Sequence, residues 1–292
     1  MSKNKTKNLL EKLEEKIDKI QKSKEFKKIL QFFSKFHDYS YRNTLLIQLQ
    51  KPNATYVAGY RQWQEKFNRQ VKKGEEGIAI LAPFTYSKTV TEVEEAEVDG
   101  EIIEKEIKKE VPKVYFKPVY VFDITQTEPI DDKNSKIPKL DISLKNDCTE
   151  LLKPLTQFGI TQNLSVNYKD LPEGTEGYLK KDNIVIDDNL NETEKTSILV
   201  HELAHALLEH DDDENKLTRE IKGLEAEAVA FVVMDHYGLK IKSDRYLALY
   251  KKDYNLKESL KRIHKIATRI IDFCDRWLSD RNVNTPEMME MI

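Results

Sequence analysis

The chain has 292 residues, 39% hydrophobic and 34% charged, with a net charge of −3. That is polar, yet it leaves enough large apolar residues for the cores of one large or two ordinary domains. No apolar run reaches the ~18 residues of a membrane span, the basic start "MSKNKTKNLLEKLEEKIDK" has no signal-peptide core, and Cys148 and Cys274 stand far apart; a membrane protein and a disulfide-stapled secreted one are set aside, and free thiols in the cytoplasm are expected.

The charge is unevenly spread. Residues 1–75 carry 18 Lys and Arg against 8 Asp and Glu, a local balance of +10. A basic first part beside an acidic remainder points to two jobs, the first involving a polyanion.

In chain order, Leu9, Leu10, Leu13, Ile17, Ile20, Phe26, Ile29, Leu30, Phe33 and Phe36 recur at three- and four-residue steps, predicting helix over about 8–37. A second helix follows over about 40–50, stopped by Pro52. "TYVAGYRQWQEKF" reads as a short strand or turn leading into a short helix. From Gly77 the pattern turns to strands: "GIAILAP", a charged hairpin turning at Asp99-Gly100, and "PVYVFDITQT". Few large apolar residues and two prolines place a linker at 128–145 between domains at 1–127 and 146–292. The second half opens with a helix at "CTELLKPLTQFGI" and a hairpin at "EGYLKKDNIVIDDN". Helices follow over 192–210, 217–237, 243–252 and 256–281. The fold class expected is α+β: a helical and β-hairpin first domain, then a mainly helical domain with a small antiparallel sheet.

"HELAHALLEH" (201–210) carries the chemistry. Residues four apart on a helix differ by about 40° in direction, so His201 and His205 can offer two imidazole nitrogens to one ion. Glu202 points about 100° away from His201, too far for a ligand but suited to act on a water at that ion. Asn191 and Glu194 form a capping pair opening this helix, and the hairpin before it supplies a strand that an extended peptide can join. A third ligand is needed if one of four positions is to stay open. Glu225 and Glu227 both stand on an otherwise apolar helix, about 200° apart around it, and spacing alone does not choose between them; His210 and His236 are rivals.

"HELAHALLEH" followed by "EAEAVAFVV" resembles the gluzincin-type metallopeptidase domains of the ArdC antirestriction proteins and the related ImmA/IrrE peptidases. The resemblance implies a zinc ion held by His201, His205 and Glu227, the last because "EAVAF" (227–231) fits the family's metal-glutamate segment, with Glu202 as general base. The stretch 39–83, "YSYRNTLLIQLQKPNATYVAGYRQWQEKFNRQVKKGEEGIAILAP", is similar to the ArdC N-terminal domain, which implies single-stranded-DNA binding. Asn68 stands where that family has Gly, and Asn tolerates the positive φ that such a turn needs.

The residues themselves agree with such a partner. Aromatics for base stacking (Tyr39 and Trp63, with Tyr41 and Tyr60) are interleaved with the cations Arg42, Arg69, Lys72 and Lys73. Core packing is the competing reading of Tyr39 and Trp63. Arg42 and Asn43 read as a polar pair facing inward or into a site, and Lys72-Lys73-Gly74 as a phosphate-binding turn. The partners expected are single-stranded DNA, with duplex DNA left open, and a protein or peptide substrate, with no membrane. The resulting expectation is an antirestriction protein of a mobile element, with two alternatives: a DNA-binding protein whose metal is structural, or a repressor-cleaving ImmA/IrrE-like peptidase.

Overall fold

The structure is a computed structural model and describes residues 2–18, 23–98, 101–131, 135, 149–210, 217–241, 244 and 255–283. The predicted Asp99-Gly100 turn, Cys148, the helix over 243–252 and most of the segment read as a linker lie outside the described residues.

The architecture is α+β. The leading helical pattern forms two elements, α1 (Ser2–Asp18) and α2 (Ser23–Lys35). Helix α3 (Tyr41–Gln50) follows, capped by Ser40, whose hydroxyl accepts from Asn43 N–H. Strand β1 (Val57–Gly59) runs into α4 (Tyr60–Phe67), which ends at Asn68 in the left-handed conformation, φ 50°. The expected tolerance of Asn at this turn is therefore observed. Strand β2 (Arg69–Val71) pairs antiparallel with β5 (Thr127–Pro129), so pairing reaches two residues into the segment read as linker. Between them lie β3 (Ile78–Val98) and β4 (Glu101–Asp123), an antiparallel pair whose register runs unbroken from Ile78↔Val121 to Val98↔Glu101. The three separate strand patterns of the sequence are thus one long ribbon, in a sheet ordered β1–β4–β3.

Strand β3 is an edge, and an edge exposes unpaired backbone groups. Helix α3 closes it with two side-chain amides. Asn43 donates to Leu81 C=O and accepts from Leu81 N–H, both at 2.9 Å. Seven residues later Gln50 does the same for Ala79, at 2.8 and 2.9 Å. Two helical turns match the two-residue repeat of the outward-facing amides, which gives the buried Asn43 its reason.

The second half comprises α5 (Thr149–Thr161), β6 (Ser165–Lys169), β7 (Gly177–Lys180), β8 (Asn183–Asp187), α6 (Glu192–His210), α7 (Arg219–His236) and α8 (Leu256–Val283). β7 and β8 form the expected antiparallel hairpin, turning at Lys181 with φ 54°, and β6 adds to β8 in parallel. β7 is thus left as an edge strand against α6. Gly177 permits this approach: a Cβ there would stand 2.5 Å from Ile198 Cγ2.

One apolar core runs through both halves. Leu13 and Ile17 of α1, Phe26, Leu30 and Phe33 of α2, and Leu45 and Leu46 of α3 pack in the same cluster as Leu203, Val229, Ile263 and Ile270. Phe32, on another face of α2, and Phe36, just past its end, join a smaller cluster with Ile78, Ile80 and Val121 under the ribbon. Polar contacts reinforce the junction: Ser34 donates to Asp235 at 2.5 Å and Tyr41 to Lys257 C=O at 3.3 Å. Among the described residues, no helix is long and apolar enough to cross a membrane.

Candidate metal centre and nucleic-acid surface

Asn191 and Glu194 open α6 by bonding each other's backbone N–H groups, at 3.0 and 3.2 Å, as the sequence suggested. The helix is buried nearly all round: Leu199, Val200, Leu203, Ala204 and Leu208 are fully enclosed. That enclosure holds Glu202 at 8% exposure. His201 and His205 face the same way, with Nε2 atoms 3.1 Å apart. Burial, together with His201 and the nearby cations Arg219 and Lys222, pushes His205 down to about 4, keeping its imidazole neutral and able to give a lone pair.

Helix α7 places the two carboxylates that spacing left open in different surroundings. Glu225 is fully buried. Arg262 of α8 grips both its oxygens, Nε to Oε2 at 3.0 Å and Nη2 to Oε1 at 2.5 Å, and Ser259 donates to Oε1 as well. Glu227 instead lies 3.0 Å from Nδ1 of His201. Two imidazoles and one carboxylate are thus neighbours in series, Glu227 at Nδ1 of His201 and His205 at its Nε2, so the three stand along the His201 ring rather than around one point; as residue types they suit a borderline divalent cation. His201 and Glu227 keep 22% and 15% side-chain exposure, so the group opens to solvent. Of the rival ligands, His236 lies elsewhere, against Ser34 and Asp275; the side chain of His210 is outside the described residues.

Residues 1–122 match the family model of the N-terminal domain of anti-restriction factor ArdC. Residues 161–268, which hold α6 and α7, match the IrrE N-terminal-like domain of the M78 peptidases. The chain thus resembles ArdC in its first part and the IrrE-like peptidases in its second. An uncharacterized protein of Bacillus anthracis, pXO2-81, is 27% identical to it over 95% of this chain and 52% of that protein, so the chain spans about half the length of this curated relative. Two crystal structures of the antirestriction ArdC protein from plasmid R388 are similar. The metal-free one shows 18% identity over 83% of this chain and 86% of that one, the Mn(II)-bound one 16% over 85% and 86%, both with TM-score 0.45.

In the part that matches the ArdC N-terminal domain, several residues predicted to contact DNA serve the fold. Trp63 is a correction: its exposure is 0%, its Nε1–H donates to Phe122 C=O at 2.9 Å, and Tyr56 and Phe67 pack on its ring. No face is left for a base. Tyr39 is half-buried against Phe36 and donates to Val57 C=O at 2.9 Å; burial pushes its hydroxyl up to about 12. Asn43 is spent on the β3 edge. Arg69 donates to the hydroxyl and carbonyl of Thr127 and to Ser135. Lys72 donates to Thr125 C=O at 3.0 Å. These last two tie the basic turn to the segment 125–127, where the buried Asp123 carboxylate collects the Thr55, Tyr56 and Thr125 N–H groups. Lys73 and Arg42 are exposed, Arg42 at the rim of a cavity of about 530 Å³ beside Tyr41, Phe116 and Lys261.

The ribbon offers what those residues do not. On the face continuing outward from Ile78 and Ile80, cross-strand register brings together Phe84, Tyr86 and Lys88 of β3 with Lys113, Tyr115 and Lys117 of β4. Tyr86 and Tyr115 are 49% and 44% exposed. Tyr115 lies 5.8 Å from Phe84 and 5.6 Å from Tyr86, and Lys117 Nζ sits 3.6 Å above the Phe84 ring. Between Ala82 and Lys88, and opposite them from Val111 to Lys117, this face bears no carboxylate. Alternation of aromatics and lysines is the signal in the sequence, masked there by the Glu-rich tip of the ribbon.

Proposed function

We propose that the chain is a zinc-dependent peptidase joined to a single-stranded-DNA-binding region, the pairing expected of an antirestriction protein carried by a mobile element. The observation that carries the peptidase reading is the contact of His201, His205 and Glu227 beside the buried Glu202. His201, His205 and Glu227 would hold the ion. When bound, the ion supplies Lewis acidity toward a peptide carbonyl and toward water. Glu202 takes a proton from the attacking water and returns it to the leaving amine. The free edge of β7 lies against the same helix and pairs an extended peptide by strand addition, which presents the scissile bond to α6.

Chelation tests this directly. The zinc-loaded full chain is expected to cut members of a mixed peptide library, read by mass spectrometry, and to stop when the metal is removed. His205→Ala is expected to be inactive at the same zinc concentration. Cleavage that persists without metal would rule the reading out.

Strand binding follows from the aromatic and lysine face of the ribbon. Stacking is worth about 1–3 kcal/mol per base and tolerates any sequence, while the lysines meet phosphates. Tyr86→Ala and Tyr115→Ala are each expected to weaken affinity for a labelled oligothymidylate by roughly tenfold. Glu at Lys88, Lys113 and Lys117 is expected to flatten the salt dependence. Fluorescence anisotropy measures both. Unchanged affinity in the doubly substituted tyrosine variant would move the binding surface elsewhere, toward Arg42 and Lys73.

A further inference from the structure

Where the two halves meet, a second set of nitrogen and oxygen donors converges away from the HExxH helix. His37 follows the end of α2, His236 ends α7, and Asp275 lies on α8. Their ligand atoms all fall within 4.8 Å of one another. His236 Nε2 is 3.4 Å and His37 Nε2 3.7 Å from the same oxygen, Oδ2 of Asp275. Both distances are long for hydrogen bonds, yet they approach the edge of about 3.4 Å of a tetrahedron with bonds near 2.1 Å.

The surroundings fix which atoms face inward. His236 Nδ1 lies 2.8 Å from Ser34 C=O, which can only accept, so Nδ1 carries a proton and Nε2 is the atom turned toward Asp275. That Nε2 is buried and has no hydrogen-bond partner. The other oxygen of Asp275, Oδ1, accepts from Tyr237 at 2.7 Å. A ligating histidine that donates its far N–H to a carbonyl, and a ligating carboxylate held by a hydroxyl, are the supports that metal sites use. Two further carboxylates, Asp38 and Asp272, stand 3.4 and 3.9 Å from His37 Nε2 and add negative charge and a fourth donor.

We infer that His37, His236 and Asp275 bind a second divalent cation of the zinc type, a clasp fastening α2 to α7 and α8. Its competitor is a proton: an imidazolium at His236 would satisfy Asp275 alone, without metal. The ion would anchor the end of the helix that carries Glu227, nine residues earlier, and so couple the two halves through their shared core.

The test uses the full chain in a His201→Ala/His205→Ala background, so it does not depend on the peptidase reading. After equilibration with zinc and gel filtration, elemental analysis is expected to find one equivalent per chain, and cobalt in its place to give the visible bands of a tetrahedral site. Adding Asp275→Asn, which keeps the shape next to Tyr237, is expected to remove that equivalent. His37→Gln serves as a second variant should Asp275→Asn misfold. No zinc in the double-alanine background, or zinc that survives both added substitutions, overturns the inference.

Discussion

Glu202→Gln is expected to lower peptide cleavage by about 10²–10⁴-fold, the range that positioned acid–base groups contribute. The variant keeps the side chain's size in a site only 8% exposed, so folding should survive. It also leaves His201, His205 and Glu227 intact, so zinc content should match that of the parent. The informative comparison is therefore turnover of the peptide library at equal metal loading. A zinc-loaded variant that cleaves as fast as the parent would remove Glu202 from the chemistry.

The second large effect concerns stability. Arg262→Ala is expected to destabilise the protein by about 3–5 kcal/mol, because it strands a carboxylate in the core. Glu225 has 0% exposure, and Arg262 supplies hydrogen bonds to both its oxygens. Ser259 alone would remain to satisfy it. Replacing Glu225 and Arg262 together by Leu and Met removes charge and counter-charge at once and should cost far less. Urea denaturation followed by far-ultraviolet circular dichroism separates the cases. Equal losses for the single and double replacements would mean that packing, not the buried charge, sets the cost.

The helical half was legible because its signals are local. The i, i+4 histidines, the Asn191–Glu194 capping pair and the apolar repeats of α6, α7 and α8 depend on neighbours a turn away. The hairpin at β7 and β8 was legible for the same reason, whereas β6, parallel and brought in from a distance, was not. Glu225 and Glu227 could not be told apart by period. Only their tertiary partners distinguish them, and Arg262 lies 37 residues beyond Glu225. The DNA-facing residues failed for a related cause. Trp63 and Arg69 have the right composition for a stacked, charged surface, but the chain folds them onto Phe122 and Thr127, contacts made 59 and 58 residues away. Tyr86 and Tyr115 are diagonal neighbours because a 21-residue strand continues its register well past the core, and no local pattern announces that length.

Anomalous diffraction at the zinc edge from crystals of the zinc-loaded chain tests the central claim most directly. The account predicts a peak about 2.0–2.2 Å from an imidazole nitrogen of His201, an imidazole nitrogen of His205 and an oxygen of Glu227, with Glu225 still held by Arg262. A peak at Glu225, or none between the two histidines with Glu227 left on Nδ1 of His201, would contradict it.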